Sequence, residues 1–579
     1  NQISSNGKIL SDKSLLTAVG QLNQGSAFIT DRLQRIELAQ LNARAGEKAI
    51  SLAVYPLAAT YLQSGISLLD DKCWEDQYSL SLKLYISSAE AHYCNGDFEK
   101  MEKVQEVVFA RGRSFAEKRA AYFTLISARI AQGKLREATE VGLFVLRELG
   151  EPFPKSPDEK AVTDDLIKTK EMLATKTETE ILALYEMKDD NKIAAMHVLS
   201  SLIICAGLAK NTLYPLFVSR MMQISLSYGL CKHSIAGFAS FGPILRGSFG
   251  DVNGACYLGL LALHLLKKLQ ANECAARVQA MVCCLINPWV KPHRLSLETL
   301  KHSFQDGMRS GDIQHALLCA QQFCIHSYQC GEELSTVEKN MREYGNQMKL
   351  YKQDIILNKA LPFRQSALNL MGHSDDPERL TGEAMNQDHL LENALENKNF
   401  SLVFVIYHNC SWLAYIFGNY ELASEMTEKS QVLVNQTVSP AYTVASHAFV
   451  EGLSSLALAH KSSQPKWKEL SAKNIEKMKK WAQHAPANFQ HKLFLLEAES
   501  AFLMGDTVAA ARHYDNAIER AGEHGFVQEQ ALTHERAGIF HWAQGNASKA
   551  LHHYGQAHDT YLKWGAKGKA DHLRIHCPL

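Results

Sequence analysis

Apolar residues recur along most of the chain at intervals of three or four positions, which is the spacing of amphipathic helices. Leu33, Ile36, Leu38 and Leu41 illustrate the pattern, because they fall mostly on one helical face. No stretch shows the sustained alternation with a period of two that favours β-strands. The pattern therefore predicts an all-α fold.

Six glycines interrupt this helical pattern in a similar way. After Gly505 and again after Gly545, forty positions later, alanine follows at the fifth position, tyrosine at the ninth and alanine at the twelfth. The same alanine recurs after three more of the glycines, whereas Met101 replaces it after the first. The six predicted hinges are Gly96, Gly133, Gly311, Gly418, Gly505 and Gly545.

Such a hinge has a direct physical interpretation. Glycine ends one helix by adopting a left-handed conformation, and the polar residue that follows caps the next helix. Small alanines then allow the two helix backbones to approach closely. Because one hairpin cannot bury its own apolar stripe, neighbouring hairpins must stack on it. The pattern predicts a tetratricopeptide-like α-solenoid, a superhelix of stacked helical hairpins.

Breaks in the pattern divide the chain into segments. Three prolines between residues 151 and 158 predict a surface loop or boundary, and the stretch 193–286 is apolar on nearly all helical faces and should form the densest part. Residues 164–187 read as helical, and residues 334–371 as one long helix or two short ones. We expect a polar lead-in over 1–18, N-terminal repeats over 19–150, a proline-rich loop over 151–163, central apolar repeats over 164–371, a loop over 372–390 and C-terminal tetratricopeptide-like repeats over 391–579.

Composition narrows the class of protein. The chain has 579 residues, of which 46% are hydrophobic, and its 61 basic and 61 acidic side chains cancel to a formal net charge of +0. This balance argues against nucleic-acid and membrane-surface partners, whose affinity comes largely from neutralised phosphate. Thirteen cysteines without framework spacing favour a reducing, cytoplasmic location, and no apolar run predicts membrane insertion. The chain begins at Asn1, which suggests a processed product or part of a longer protein.

Motifs for chemistry are incomplete. Gly20 and Gly25 have the spacing of a phosphate-binding loop, but Ser26 stands where that loop needs lysine. His534 is followed by glutamate, yet no second histidine follows at the spacing of a zinc protease, and the cysteines near residue 319 do not converge. We therefore predict no catalytic, cofactor-binding or metal-binding residues in this chain.

Several stretches resemble one family of proteins. These stretches are 21–25, 41–46, 287–292, 310–312, 514–521, 523–532 and 561–567. They are similar to the helical-repeat region of large signalling proteins that join a serine/threonine-kinase-like domain, an AAA or STAND-type ATPase, repeats, a GAF domain and a histidine kinase. The likeness runs from about Leu15 to Pro578. The resemblance implies that nucleotide chemistry and phosphotransfer belong to flanking domains, and that the repeats act as a sensor or relay.

The expected function is therefore a non-catalytic interaction and regulatory module, the sensor or relay arm of a STAND-type ATPase and sensor kinase protein. Its partner would be a protein or peptide in a concave groove, or the flanking ATPase and kinase domains in cis. Two alternatives stay open. One is a free-standing scaffold for assembling a complex, and the other is a small-molecule sensor with its pocket between residues 193 and 286.

Overall fold

The computed structural model describes residues 12–154, 156–209, 212–435, 442–462 and 464–577. Within these ranges the chain is all-helical and contains no β-strand, which confirms the fold class predicted from the apolar spacing. The sole extended pairing recorded in these ranges is an isolated parallel bridge between Glu186 and Leu230.

Most helices have 10 to 20 residues and are joined by short turns. The N-terminal helices are α1 (Asp12–Gln24), α2 (Arg32–Ser51), α3 (Tyr55–Leu68), α4 (Cys73–Asp76), α5 (Tyr78–Cys94), α6 (Phe98–Arg111), α7 (Phe115–Ala131) and α8 (Leu135–Glu148). The central helices are α9 (Glu159–Ala174), α10 (Glu178–Leu182), α11 (Asp190–Ala209), α12 (Tyr214–Tyr228), α13 (Ser234–Phe249), α14 (Val252–Lys268), α15 (Ala275–Met281), α16 (Ser296–Ser310), α17 (Ile313–Gln329), α18 (Leu334–Leu350) and α19 (Asp354–Met371). The C-terminal helices are α20 (Gln387–Glu396), α21 (Phe400–Ile416), α22 (Tyr420–Asn435), α23 (Tyr442–Lys461), α24 (Pro465–His484), α25 (Pro486–Met504), α26 (Thr507–Glu523), α27 (Val527–Ala543), α28 (Ala547–Trp564) and α29 (Lys567–His576).

The predicted polar lead-in over 1–18 is helical from Asp12 onward, and residues 1–11 lie outside the described part of the chain. Leu15 and Val19 are buried against Ala45 and Tyr61, and the Tyr61 hydroxyl donates to the carbonyl of Leu16 at 2.7 Å. Tertiary contact thus orders a segment whose own sequence gives only a weak periodic signal. Likewise α20 begins at Gln387, inside the loop predicted over 372–390, where Asn386 accepts a hydrogen bond from the amide of His389.

The helix expected over 164–187 is also interrupted. Thr177 and Glu180 form a capping box that starts the short α10, and residues 183–187 are not helical. The amide of Met187 donates to the carbonyl of Leu230 at 2.8 Å, and this distant partner takes the place of a helical hydrogen bond. The stretch 334–371 forms two helices, joined through Lys352, whose φ is +49°.

All six hinge glycines have positive φ, between +73° and +90°. At the last two hinges, Asp506 and Asn546 cap the following helices by accepting from the amides of Ala509 at 2.9 Å and Lys549 at 3.2 Å. A non-glycine residue at Gly505 would be strained at φ +79° even though open space surrounds it. The hinge is therefore a requirement of the backbone rather than of packing.

Helices pack on their sequence neighbours, as α25 does on α26 and α27 on α28, but the chain also returns onto itself. The Tyr55 hydroxyl donates to the carbonyl of Gly311 at 3.0 Å, across 256 positions. Gln528 donates to the carbonyl of Gln329 at 2.8 Å across 199 positions. One buried core runs through helices from Tyr55 to Leu357 and a second from Trp289 to Leu573. Segments about two hundred residues apart thus cover each other.

Charged side chains are buried where α25, α27 and α29 meet. Glu499 on α25 pairs with Arg536 on α27 through two contacts of 2.8 and 2.6 Å, and their side chains are 1% and 7% exposed. Tyr514 donates to the same carboxylate at 2.7 Å. Burial alone would raise the pKa of Glu499, but Arg536 and the hydrogen bonds outweigh it and keep that pKa below its usual value. Two further buried pairs, Lys492 with Glu529 and Lys569 with Glu535, link the same helices.

Glycine also permits close helix contact on α16. A Cβ atom at Gly307 would lie 2.8 Å from the Cβ of Ala316 on α17 and 3.0 Å from the Cβ of Ala276 on α15. Neither alanine Cβ can rotate away, because it is fixed to the backbone of its helix. This contact therefore sets the spacing of three helices.

The substitution Gly307→Ala should destabilise the protein, since overpacking a core typically costs about 1 to 3 kcal/mol. Gly555→Ala, in the interior of α28 with no neighbour within 4 Å, is the matched control and should gain up to about 1 kcal/mol from helix propensity. Thermal unfolding of the two variants should therefore shift in opposite directions. A rise in Tm for both variants would show that α15, α16 and α17 can move apart to make room for the added methyl group at little cost.

The substitution Arg536→Met should leave the Glu499 carboxylate buried without its ion-pair partner, at a cost of about 3 to 5 kcal/mol. Hydrogen exchange followed by mass spectrometry should show faster exchange in peptides from α25 and α27. Arg136→Met is the control, because Arg136 pairs with Glu140 on the exposed surface of α8. Equal exchange in the two variants would contradict a stabilising role for the buried pair.

Candidate functional site

A cavity of about 280 Å³ lies where N-terminal and central helices meet. Its walls come from elements far apart in the sequence: Tyr93 lies on α5, Ser127 on α7, His197 on α11, Arg277 on α15, and Gln353 just ahead of α19. The Tyr93 hydroxyl reaches Gln314 on α17 at 3.5 Å, which joins two of these walls. The fold, rather than any local motif, therefore creates this site.

Among the described residues, Arg277 is the one arginine or lysine that lines the cavity. Its Nη1 atom donates to the Ser200 hydroxyl at 3.0 Å and its Nη2 atom to the Ser200 carbonyl. Its Nε atom is buried without a hydrogen-bond partner among the described residues, and no carboxylate in those residues forms an ion pair with it. Burial lowers the pKa of Arg277 from its usual value, while the thiol of Cys274 and the carboxylate of Asp312 oppose this shift. The guanidinium remains charged and lacks a counter-ion in contact.

Two histidine rings stack beside Arg277. The rings of His197 and His233 lie 4.6 Å apart at an angle of 6°, and Phe123 packs on His197 at 4.4 Å. Burial and then the charge of Arg277 lower the pKa of His197 to about 4. Burial, His197 and Arg277 lower the pKa of His233 to about 2. Both rings are therefore neutral near pH 7 and add no charge to the cavity.

The start of α17 contributes hydrogen-bond acceptors. The Asp312 carboxylate accepts from the amide of His315 at 3.4 Å and lies 2.8 Å from its Nδ1 atom. Because a carboxylate only accepts, the Nδ1 atom of His315 donates to Asp312. The Nε2 atom of His315 and the Oε1 atom of Gln353 are buried and have no partner in the described part of the chain. Arg277, His315 and Gln353, which all line the cavity, thus each have a buried polar atom without a hydrogen-bond partner among the described residues.

One predicted hinge, Gly311, lies in the cavity wall, and Tyr55 binds its carbonyl. Part of the wall, including His197 and Arg277, comes from the stretch 193–286 that the small-molecule alternative names. Sequence reasoning missed the rest, which comes from residues 93–130 and 311–353. The sequence contains one signal for this site, namely that His197 and Arg277 are polar residues within the otherwise apolar stretch 193–286.

A second, smaller cavity of about 40 Å³ lies among the C-terminal helices and is lined by Tyr328, His408, Trp564 and Gln528, among others. His408 is buried next to Phe404, and their rings lie 6.2 Å apart at an angle of 11°. Burial lowers the pKa of His408 to about 4. This space is too small for a cofactor, and its histidine is a neutral core residue.

The described residues contain neither a metal-binding cluster nor a helix that could span a membrane. No group of three or more His, Cys, Asp and Glu side chains in the described ranges is arranged to hold a metal ion. His534 and His553 approach to 3.2 Å, but within the described ranges no third ligand completes a metal site with them. All thirteen cysteines are unpaired. Among the described helices, none combines the length and apolar character needed to cross a bilayer.

These features define an all-helical protein with a cavity whose wall is largely apolar and contains a few buried polar groups. No known protein-family profile matches the chain. It is 20% identical over 372 residues to hybrid signal transduction histidine kinase G of Dictyostelium discoideum, and the match covers 58% of this chain and 10% of that protein. The chain therefore spans about a tenth of the length of that relative. The crystal structure of Ypp1 aligns over 98% of this chain and 93% of its own, with 12% identity and a TM-score of 0.25.

His408→Leu should make the protein less sensitive to acid. With a folded pKa of about 4, His408 binds no proton in the folded state at pH 6, whereas the unfolded residue titrates near its ordinary pKa of about 6.5. The contribution of the neutral His408 ring to the free energy of unfolding is therefore fully present above about pH 6.5 and is lost progressively down to about pH 4. At about pH 5 the loss is about 2 kcal/mol. The fall in Tm between pH 7 and pH 5 should be smaller in the variant. The exposed His389→Leu variant should keep the full fall, and equal falls in both variants would contradict the assignment.

Proposed function

We propose that this chain is a non-catalytic regulatory region of a larger signalling protein. The observation that carries the proposal is its similarity to a hybrid signal transduction histidine kinase over 372 residues, within an all-helical fold. That match occupies a tenth of the relative, which leaves most of the relative's length for other regions. On this proposal the ATPase and kinase chemistry implied by the resemblance belongs to flanking domains, and this chain senses or relays.

The helices of this region are proposed to form a tetratricopeptide-like superhelix. Three observations support this arrangement: the hinges have positive φ, consecutive helices pack as hairpins, and the chain meets itself again after 195 to 256 positions. The repeated pattern of forty residues after Gly505 and Gly545 is close to the period of helical-hairpin repeats. A superhelix of this kind relays a signal when a partner binds one of its conformations more tightly.

The proposed partner is a protein or peptide, supplied either by flanking ATPase and kinase domains in cis or by a separate protein. The expected site for this partner is a concave groove of the superhelix. A cytoplasmic location belongs to the same proposal and is supported by the thirteen unpaired cysteines. A free-standing scaffold is the alternative if no catalytic domain accompanies the chain.

A second candidate function, a small-molecule sensor, is favoured by the cavity around Arg277. A cavity lined by several distant segments can couple ligand binding to their relative placement. A coupling of about 1 to 3 kcal/mol is enough to regulate an attached enzyme. The two functions are compatible, because a ligand in the cavity would be the signal that the region relays.

The purified chain should neither hydrolyse ATP nor phosphorylate itself, because the phosphate-loop lysine is missing and the nucleotide chemistry belongs elsewhere. Phosphate release and incorporation of labelled phosphate should match a buffer blank, while circular dichroism confirms that the sample is helical. Activity that copurifies but survives every substitution would be a contaminant. Turnover abolished by one substitution within this chain would refute the non-catalytic proposal.

A further inference from the structure

We infer that the cavity around Arg277 binds a free amino acid, with the ligand's carboxylate on Arg277 and its ammonium on the acceptors near α17 and α19. This inference supplies a ligand class for the small-molecule candidate. It depends neither on the partner nor on the absence of catalysis. It goes beyond the proposed signalling role, and a binding measurement on the purified chain tests this inference separately from that role.

The carboxylate position follows from Arg277. A buried charge without a partner is costly, so a site that retains one is suited to a ligand of opposite charge. Arg277 uses Nη1 and Nη2 on Ser200, and its buried Nε atom has no partner within the described ranges. A planar guanidinium edge binds a carboxylate through parallel, charge-assisted hydrogen bonds. The ligand's carboxylate would take the donor that the protein leaves unused.

The ammonium position follows from two acceptors. Asp312 supplies a carboxylate, and Gln353 supplies an Oε1 atom without a partner among the described residues. An ammonium group has three donors and no acceptor, so a carboxylate and an amide oxygen both suit it. Both groups line the cavity near the starts of α17 and α19.

The charge balance favours a zwitterion over a simple anion or cation. Two acidic side chains, Glu273 and Asp312, line the cavity. Glu273 is paired with Lys232, which leaves the guanidinium of Arg277 and the carboxylate of Asp312, the latter 2.8 Å from Nδ1 of His315. His197 and His233 are neutral at pH 7 because burial lowers their pKa values to about 4 and about 2. An anion alone would satisfy Arg277 but leave Asp312 repelled, and a cation alone would do the reverse.

The size of the cavity sets an upper limit on the ligand. Its volume of about 280 Å³ lies at the lower end of the range for small-molecule sites. A free amino acid fits within this volume, whereas an extended peptide does not.

The first experiment screens the standard L-amino acids, each at millimolar concentration, for a rise in the Tm of the purified chain. The best ligand is then compared with its N-acetyl derivative and its amide by isothermal titration calorimetry. Each derivative lacks one charge, so each should bind more than about tenfold more weakly, the loss expected for one charge-assisted contact. No rise in Tm with any amino acid would overturn the inference, and equal affinity for the N-acetyl derivative would replace the zwitterion site with a simple anion site.

The second experiment uses variants. Arg277→Met should abolish binding of the amino acid, and Asp312→Asn should weaken it while keeping a side chain that can still cap α17. Arg246→Met is the matched control, because Arg246 lies on α13 with a buried Nε atom that is likewise unpartnered among described residues, but stacks on Trp289 outside the cavity. Undiminished binding in Arg277→Met would overturn the inference. If that variant does not fold, the derivative series on the unmodified chain decides the question.

Discussion

The constraint on which this structure depends is that polar and charged side chains on inward helix faces must find partners inside the protein. A single hairpin does not supply all of them, since Glu499 on α25 has Tyr514 of its own hairpin and Arg536 of the next one as partners. Arg536 is buried only because Glu499 and the hydroxyl of Tyr420, the latter 116 positions away in sequence, lie against it. Asn488 likewise bonds the backbone of Pro288, 200 positions earlier. The return of the chain onto itself is therefore an electrostatic requirement as well as an apolar one.

The features that sequence reasoning predicted are those decided within a few residues. A glycine with positive φ, a cap such as Asp506 and a buried alanine such as Ala510 all act inside one turn and the helix after it. The all-α class follows from the same local periodicity. Two helix starts differ from the prediction, after Thr177 and after Asn386. Each has a capping side chain within three residues, which is a signal present in the local sequence.

The features that sequence reasoning missed are decided by residues far apart. The bridge between Glu186 and Leu230 replaces predicted helix with extended backbone, because a distant carbonyl competes successfully for an amide. The cavity is a stronger example, since Tyr93, His197, Arg277 and Gln353 share no spacing that a local pattern could reveal. Arg277 and His197 gave a signal as polar residues in an apolar stretch, but the sequence does not show which helices surround them.

Arg277 and Arg536 show the same constraint met in two ways. Arg536 is fully paired by the protein, so its contribution is structural and its carboxylate partner is fixed. Arg277 has hydrogen bonds only to Ser200, and burial, to which its charge adds, lowers the pKa values of the neighbouring His197 and His233. A group that completes Arg277 from outside would also contact helices near residues 93, 130, 311 and 353, which meet nowhere in the sequence. Binding there would favour the arrangement in which those segments touch, because a ligand shifts an equilibrium toward the state with which it makes more contacts. The place where the protein leaves its own polar groups incomplete is thus the place from which its distant segments can be controlled together.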